Sequence, residues 1–163
     1  MIIRPLQHAD RTAIVDLYNH YVTHSPCTFD LEPFTVASRA AWFNQFDGQR
    51  YQCLVAEIEG AIIGYANSAQ FRTKAAYASS VETSVYVRAD TVHKRVGQAL
   101  YGALFEALKP HDVHRAYAGI TQPNPASERL HERFGFTPCG RFEQVGFKFE
   151  QYWDVAWFQR DCS

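Results

Sequence analysis

Between Val81 and Leu108 the hydrophobic pattern changes period, and the rest of the chain is organised around that change. Val81, Thr83, Val85 and Val87 alternate with Glu82, Ser84, Tyr86 and Arg88, the period of two that sends successive strand side chains to opposite faces. Beyond Arg88-Ala89-Asp90 the period lengthens. Val96, Leu100, Leu104 and Leu108 fall four apart, with Tyr101 and Phe105 beside them, as a core-facing helical stripe requires. Strand, polar turn and helix start is a layout able to hold an anion, because the first N–H groups of a helix lack intrahelical partners. Gly97 is the only glycine there, so by itself the pattern reads more plainly as a strand joined to a packing helix.

The remaining pattern supplies neighbours for this unit. Ile2 to Arg4 begins a strand, and Ala13, Ile14, Leu17, Tyr18 and Tyr21 mark a helix from His8 to about Thr23, ended by Ser25-Pro26. Thr35 is expected to cap a second helix with Ala40, Phe43 and Phe46 inward. Tyr51 to Ile58 and Ala61 to Phe71 are strand-like runs joined by Glu59-Gly60, a hairpin signal. Val113 to Ile120 is a further strand. Asn124-Pro125 opens a helix that Gly135 closes, and Phe136 to Phe149 and Tyr152 to Gln159 end the chain as strands. The order predicts one α/β domain over residues 1–163, a mixed and mostly antiparallel sheet flanked by helices.

Length fits this, since 163 residues can bury roughly two-thirds of their unfolded surface. With 47% hydrophobic and 20% charged residues the chain is globular. A formal charge of −1 offers no basic face for nucleic acid. No apolar run approaches the roughly 20 residues of a membrane helix, and the N-terminus lacks the apolar core of a signal peptide. Cys27, Cys53, Cys139 and Cys162 are scattered and read as reduced, mostly buried thiols of a cytoplasmic protein. His20 and His24 share a helical face without a third ligand, so no metal is expected.

V-E-T-S-V-Y-V followed by V-G-Q-A-L resembles the signature of the GNAT superfamily of N-acetyltransferases. Y-N-H-Y-V at 18–22, T-F-D-L-E-P at 28–33, S-x-x-L-H-E-x-x-G-F at 127–136 and V-G-F-K-F at 145–149 resemble its phosphinothricin and methionine-sulfone acetyltransferase branch, over nearly the whole chain. The resemblance implies the GNAT fold, acetyl-CoA as co-substrate and a homodimer. It also implies that the backbone of Val85, Tyr86 and Val87 pairs with the pantetheine arm. The pyrophosphate then falls on His93, Lys94, Arg95, Val96, Gly97 and Gln98, and Asn124 contacts the arm. Of the family's Q/R-x-x-G-x-G/A motif, counted without gaps, only Gly97 is kept; Val92 and Arg95 depart. A shifted reading, Lys94-x-x-Gly97-x-Ala99, fits the letters but moves V-G-Q-A-L out of register with the helix.

Glu82 and His131 occupy positions that the resemblance marks as catalytic. Glu82 alone would read as the solvent-facing half of an alternating strand. An ammonium must lose a proton before it attacks a thioester, and a Glu of ordinary pKa, about 4.3, accepts it well only if burial raises it or water relays. His131, beside Leu130 and Phe134, is either a boundary residue or a proton acceptor with a pKa near 6.5. Arg72, Lys74 and Tyr77 precede Glu82, and Phe29 lies in the T-F-D loop. Two cations near a base suit a carboxylate, phosphinate or sulfone. The expected activity is therefore acetyl transfer from acetyl-CoA to the α-amine of an amino-acid-like substrate such as phosphinothricin or methionine sulfone. A protein N-terminal acetyltransferase and a non-catalytic acyl-CoA sensor remain open as alternatives.

Overall fold

A computed structural model describes all 163 residues. A short strand β1 (Ile2–Pro5) leads through a 3-10 turn at His8–Asp10 into α1 (Arg11–His24). After a long loop and the five-residue α2 (Ala40–Asn44) come β2 (Cys53–Ile58), β3 (Ala61–Gln70) and β4 (Ser80–Val87). The chain then runs through α3 (Val96–Leu108), β5 (Arg115–Thr121), α4 (Pro125–Arg133), β6 (Thr137–Lys148) and β7 (Gln151–Asp161). The seven strands form one sheet in the order β1-β2-β3-β4-β5-β7-β6. Only β4 and β5 run parallel, because α3 carries the chain back along one face between them.

Apolar positions divide between the two faces as the pleat dictates. On one face α3 buries Val96, Leu100, Leu104 and Leu108 against Val81, Ala116, Ala118 and Ile120. Each fully buried leucine contributes roughly 1.5–3 kcal/mol. On the other face Ile14, Val15 and Leu17 of α1 pack with Phe43, Val55 and Tyr65. Glu59 and Gly60 both have positive φ (50° and 81°), the hairpin turn expected there. Gly135, at φ 79°, closes α4 with its N–H on the Glu132 carbonyl at 3.0 Å.

Two local expectations are corrected. Thr35 Oγ1 does accept the Ser38 N–H at 3.0 Å, yet the helix starts only at Ala40. The intervening residues form a turn that buries Arg39 beneath Tyr18 and Trp42, its guanidinium 3.6 and 4.2 Å from their ring centres. The free cysteines are also less buried than expected: Cys53 is buried, Cys27 and Cys162 are half-buried, and Cys139 is exposed.

Candidate functional site

Strands β4 and β5 pair over only three residues, Ser80–Glu82 against Arg115–Tyr117, and then part. A cleft of about 280 Å³ opens between them, walled by Thr83–Val87, Ala118–Thr121 and the first turns of α3 and α4. Successive residues of a strand point their backbone groups to opposite edges. The Arg88 N–H bonds to Ile63 of β3 at 2.8 Å, and a Cβ on Gly64 would stand 3.0 Å from the Tyr86 carbonyl. The backbone groups of Tyr86 therefore face β3, and those of Thr83, Val85 and Val87 face the cleft. The Val87 carbonyl is already taken by the Tyr21 hydroxyl. Val85 thus offers its backbone to a ligand and Val87 its N–H, whereas the Tyr86 backbone is turned to β3 and its ring to Tyr18, Tyr21 and Tyr65.

The turn before α3 explains the departing letters of the motif. Arg95 is the N-cap of α3 at φ 66°, ψ 19°, the left-handed conformation a glycine adopts freely. It stands where the ungapped count puts the family's first glycine, so the backbone keeps that shape while the side chain differs. His93, Lys94 and Arg95 are exposed, and Val96 is buried in the core. A Cβ on Gly97 would meet Leu130 Cδ2 at 3.3 Å, so this glycine lets α3 start close to α4. Gln98 Oε1 stands 3.5 Å from Arg133 Nη1. The Asn124 side-chain carbonyl caps α4 by accepting the Ser127 N–H at 3.1 Å, which leaves its amide N–H groups to the cleft it lines.

The two candidate acid–base residues stand on opposite faces of the sheet. Glu82 shares the α1 face with Ser84 and Tyr86; Thr83 shares the α3 face with Val81 and Val85. Glu82 is half-buried and makes no side-chain hydrogen bond or ion pair. Burial pushes its carboxyl above the ordinary carboxylate range, and the Arg72 charge offsets part of that rise. Arg72 is exposed, lies over the Phe71 ring at 4.2 Å and donates to the Phe71 carbonyl at 2.8 Å. Lys74 and Tyr77 are exposed beside it, and Phe71 stacks on Tyr117, 4.5 Å between ring centres. The Phe29 ring packs on Gly146, where a Cβ would stand 2.3 Å from it.

His131 is the buried residue of α4, 4% exposed. Its Nδ1 lies 2.7 Å from the Ser127 carbonyl, which can only accept, so Nδ1 carries the proton. Nε2 is then an acceptor for the Tyr101 hydroxyl at 2.9 Å. The same hydroxyl also points at Thr83 Oγ1 at the longer distance of 3.3 Å, so its one proton has two acceptors, of which His131 Nε2 is the nearer. Thr83, Tyr101 and His131 thus form a hydrogen-bonded row running from the cleft wall inward, centred on the Tyr101 hydroxyl, and all three line the cleft. Burial lowers the His131 pKa, consistent with a neutral ring. The sequence showed Tyr101 only as part of a helical stripe; nothing in its spacing foretold a hydroxyl aimed at a residue of another helix.

The cleft suits a thioester of coenzyme A. A parted strand supplies open backbone groups for an amide-bearing arm, and the left-handed turn at Arg95 with Lys94 beside it presents N–H groups and charge to a pyrophosphate. The sequence profile of the acetyltransferase (GNAT) domain matches residues 3–157, and the chain belongs to that family: it is an acetyl-CoA-dependent N-acetyltransferase. Among its relatives, the phosphinothricin N-acetyltransferase of Streptomyces coelicolor is 49% identical over 97% of this chain and 94% of its own length. The L-methionine sulfoximine/L-methionine sulfone acetyltransferase of Salmonella typhimurium is 34% identical over 98% of this chain and 93% of its own. A solved phosphinothricin acetyltransferase of Sinorhizobium meliloti, in complex with acetyl-CoA, superposes with a TM-score of 0.92 at 32% identity, over 98% of this chain and 87% of that one. No helix here is long and apolar enough to cross a membrane.

Proposed function

We propose that this enzyme acetylates the α-amine of a small anionic amino-acid analogue of the phosphinothricin or methionine-sulfone type. The observation that carries the reading is Glu82: an unpaired, half-buried carboxylate at the point where β4 and β5 part, with Arg72 as the cation acting on it. A raised pKa makes that carboxylate a better acceptor for the proton an ammonium must lose. In this reading Arg72 holds the substrate's anionic group, and the contacts of Phe71 with Tyr77 and Tyr117 support an apolar surface around it. When bound, acetyl-CoA supplies the activated acyl group and a thiolate leaving group of pKa near 8.5. Val85, the turn 93–98 and Asn124 would hold it. On the α3 side His131 Nε2 is the proton acceptor, with the Tyr101 hydroxyl as its link to the cleft wall at Thr83.

A protein acetyltransferase would need an open groove on the amine side. Instead, the β6–β7 hairpin lies over that side, with Gly146 against Phe29 and Lys148 bonded to the residues after α1. This supports a small amine. The outer side of the hairpin exposes Val145, Phe147, Phe149 and Tyr152, which supports pairing with a second copy, and the free thiols and acetyl-CoA requirement support a cytoplasmic location. The decisive experiment follows thiol release from acetyl-CoA with phosphinothricin, methionine sulfone, common amino acids and short peptides. Turnover of peptides alone, or of none, would overturn the proposal.

A further inference from the structure

Lys148 is 4% exposed and has no carboxylate within ion-pair distance. Its ammonium instead donates to three main-chain carbonyls: Ser25 at 2.8 Å, Thr28 at 2.8 Å and Tyr21 at 3.5 Å. The Tyr21 carbonyl belongs to the last turn of α1, and Ser25 caps it. A cation at a helix C-terminus is stabilised by the dipole and by the carbonyls that lack intrahelical partners. Three acceptors around one nitrogen match the three donors of an ammonium, so burial lowers the Lys148 pKa without leaving a donor unmade.

These contacts bracket one segment. Between Ser25 and Thr28 lies Cys27, which walls the β4–β5 cleft, and next comes Phe29, whose ring sits on Gly146, two residues before Lys148. The hairpin reaches this place through the irregularity in β6 between Phe142 and Gly146. There Gln144 has φ 51° and donates to Asp154 Oδ1 at 2.7 Å, while Arg141 holds Oδ2 at 2.6 Å. The bend carries the inward-facing pair Gly146 and Lys148 across to the end of α1. Trp153 Nε1 fixes the Lys148 carbonyl at 2.8 Å.

We infer that Lys148 and Gly146 are positioning residues of the amine site: together they set where residues 25–29 stand against the cleft, the ammonium by holding the main chain and the glycine by admitting the Phe29 ring. The inference rests on the reading that the α1 face of the cleft receives the amine. Lys148→Met keeps the length of the stem and removes the donors, and Gly146→Ala pushes the Phe29 ring without touching the charge. In both variants hydrogen exchange of the amides of Ser25, Cys27, Thr28 and Phe29 is expected to quicken about tenfold or more, with β2 to β5 unchanged. That result does not depend on which amine is used. The KM for phosphinothricin should rise by about tenfold or more as the loop shifts, with the KM for acetyl-CoA unchanged, and Lys148→Arg, which restores a cation with several donors, should recover part of the loss. Exchange that stays at the parent rate in Gly146→Ala, or in a folded Lys148→Met, overturns the inference. Faster exchange with an unaltered amine KM overturns its link to the amine site, and failure of the parent to use any small amine points to the functional reading instead.

Discussion

Glu82 and His131 face opposite sides of the sheet: Glu82 is the last residue of β4 paired with β5, and His131 lines the cleft that opens beyond that pair. The carboxylate sits on the α1 side and the imidazole on the α3 side, with Thr83 and Tyr101 between the imidazole and the opening. Two groups separated in this way do not share one proton.

Glu82→Gln keeps the shape of the side chain and removes the acceptor. Its kcat should fall by about 10²–10⁴, the usual contribution of a general base, with acetyl-CoA binding retained. Because burial raises the Glu82 pKa, the charged form that accepts a proton is lost as pH falls through a value above the ordinary carboxylate range. The parent's rate should decline over that window and the variant's should not. A full-rate variant, measured as thiol release from pH 5 to 8, removes Glu82 from the mechanism.

Arg72→Ala tests the anion contact and the electrostatics together. The KM for phosphinothricin should rise far more than the KM for an uncharged amine. Since Arg72 holds the Glu82 pKa down, its loss should also move the acid side of the pH–rate profile to higher pH. Equal losses for both amines with no movement of the profile would show that Arg72 is only a solvated charge.

Tyr101→Phe leaves His131 Nε2 buried without a donor, at a cost of about 1–3 kcal/mol. His131→Asn leaves the tyrosine hydroxyl in the same position. Because the two groups complete one bond, the double variant should lose less than the sum of the singles, by about 0.5–3 kcal/mol in a denaturant-based cycle. Strict additivity would deny the bond its role, and with it the hydrogen-bonded row.

Arg95 occupies left-handed backbone at φ 66°, which costs an ordinary residue roughly 1–2 kcal/mol. Allowing for the extra freedom glycine has when unfolded, Arg95→Gly should stabilise the fold by about 0.5–1 kcal/mol. If the side chain serves a pyrophosphate, the same variant should bind acetyl-CoA more weakly at low salt, and the gap should close as salt screens the charge. Melting temperature and titration calorimetry at two ionic strengths check both halves; a Tm below the parent's would contradict the strain argument.

Much of the architecture was written in local pattern. The alternation of Val81, Thr83, Val85 and Val87 and the four-residue stripe from Val96 to Leu108 determine a strand and a helix, because burial of one face enforces period. Glu59-Gly60, Asn124-Pro125 and Gly135 determine a turn, a helix start and a helix end, because each answers a backbone demand within a few residues. The resemblance of several short motifs pointed to the family that the match over residues 3–157 then showed.

What tertiary structure decided was which side chains meet. No periodicity tells that Tyr101, on one helix, gives its proton to His131, on another, or that this contact fixes the imidazole as a neutral acceptor. Nor does it tell that the backbone of Tyr86 is spent on β3 while that of Val85 stays open, since this depends on the strand's edge and partner rather than on its letters. Arg95 hides a glycine's backbone shape behind a charged side chain. Lys148 lies 120 residues or more from the carbonyls it holds. Sequence fixes conformation where the deciding forces act within a turn of chain; the site is made where β4 and β5 part, by contacts whose partners are remote in sequence and become neighbours only when both faces of the sheet are packed.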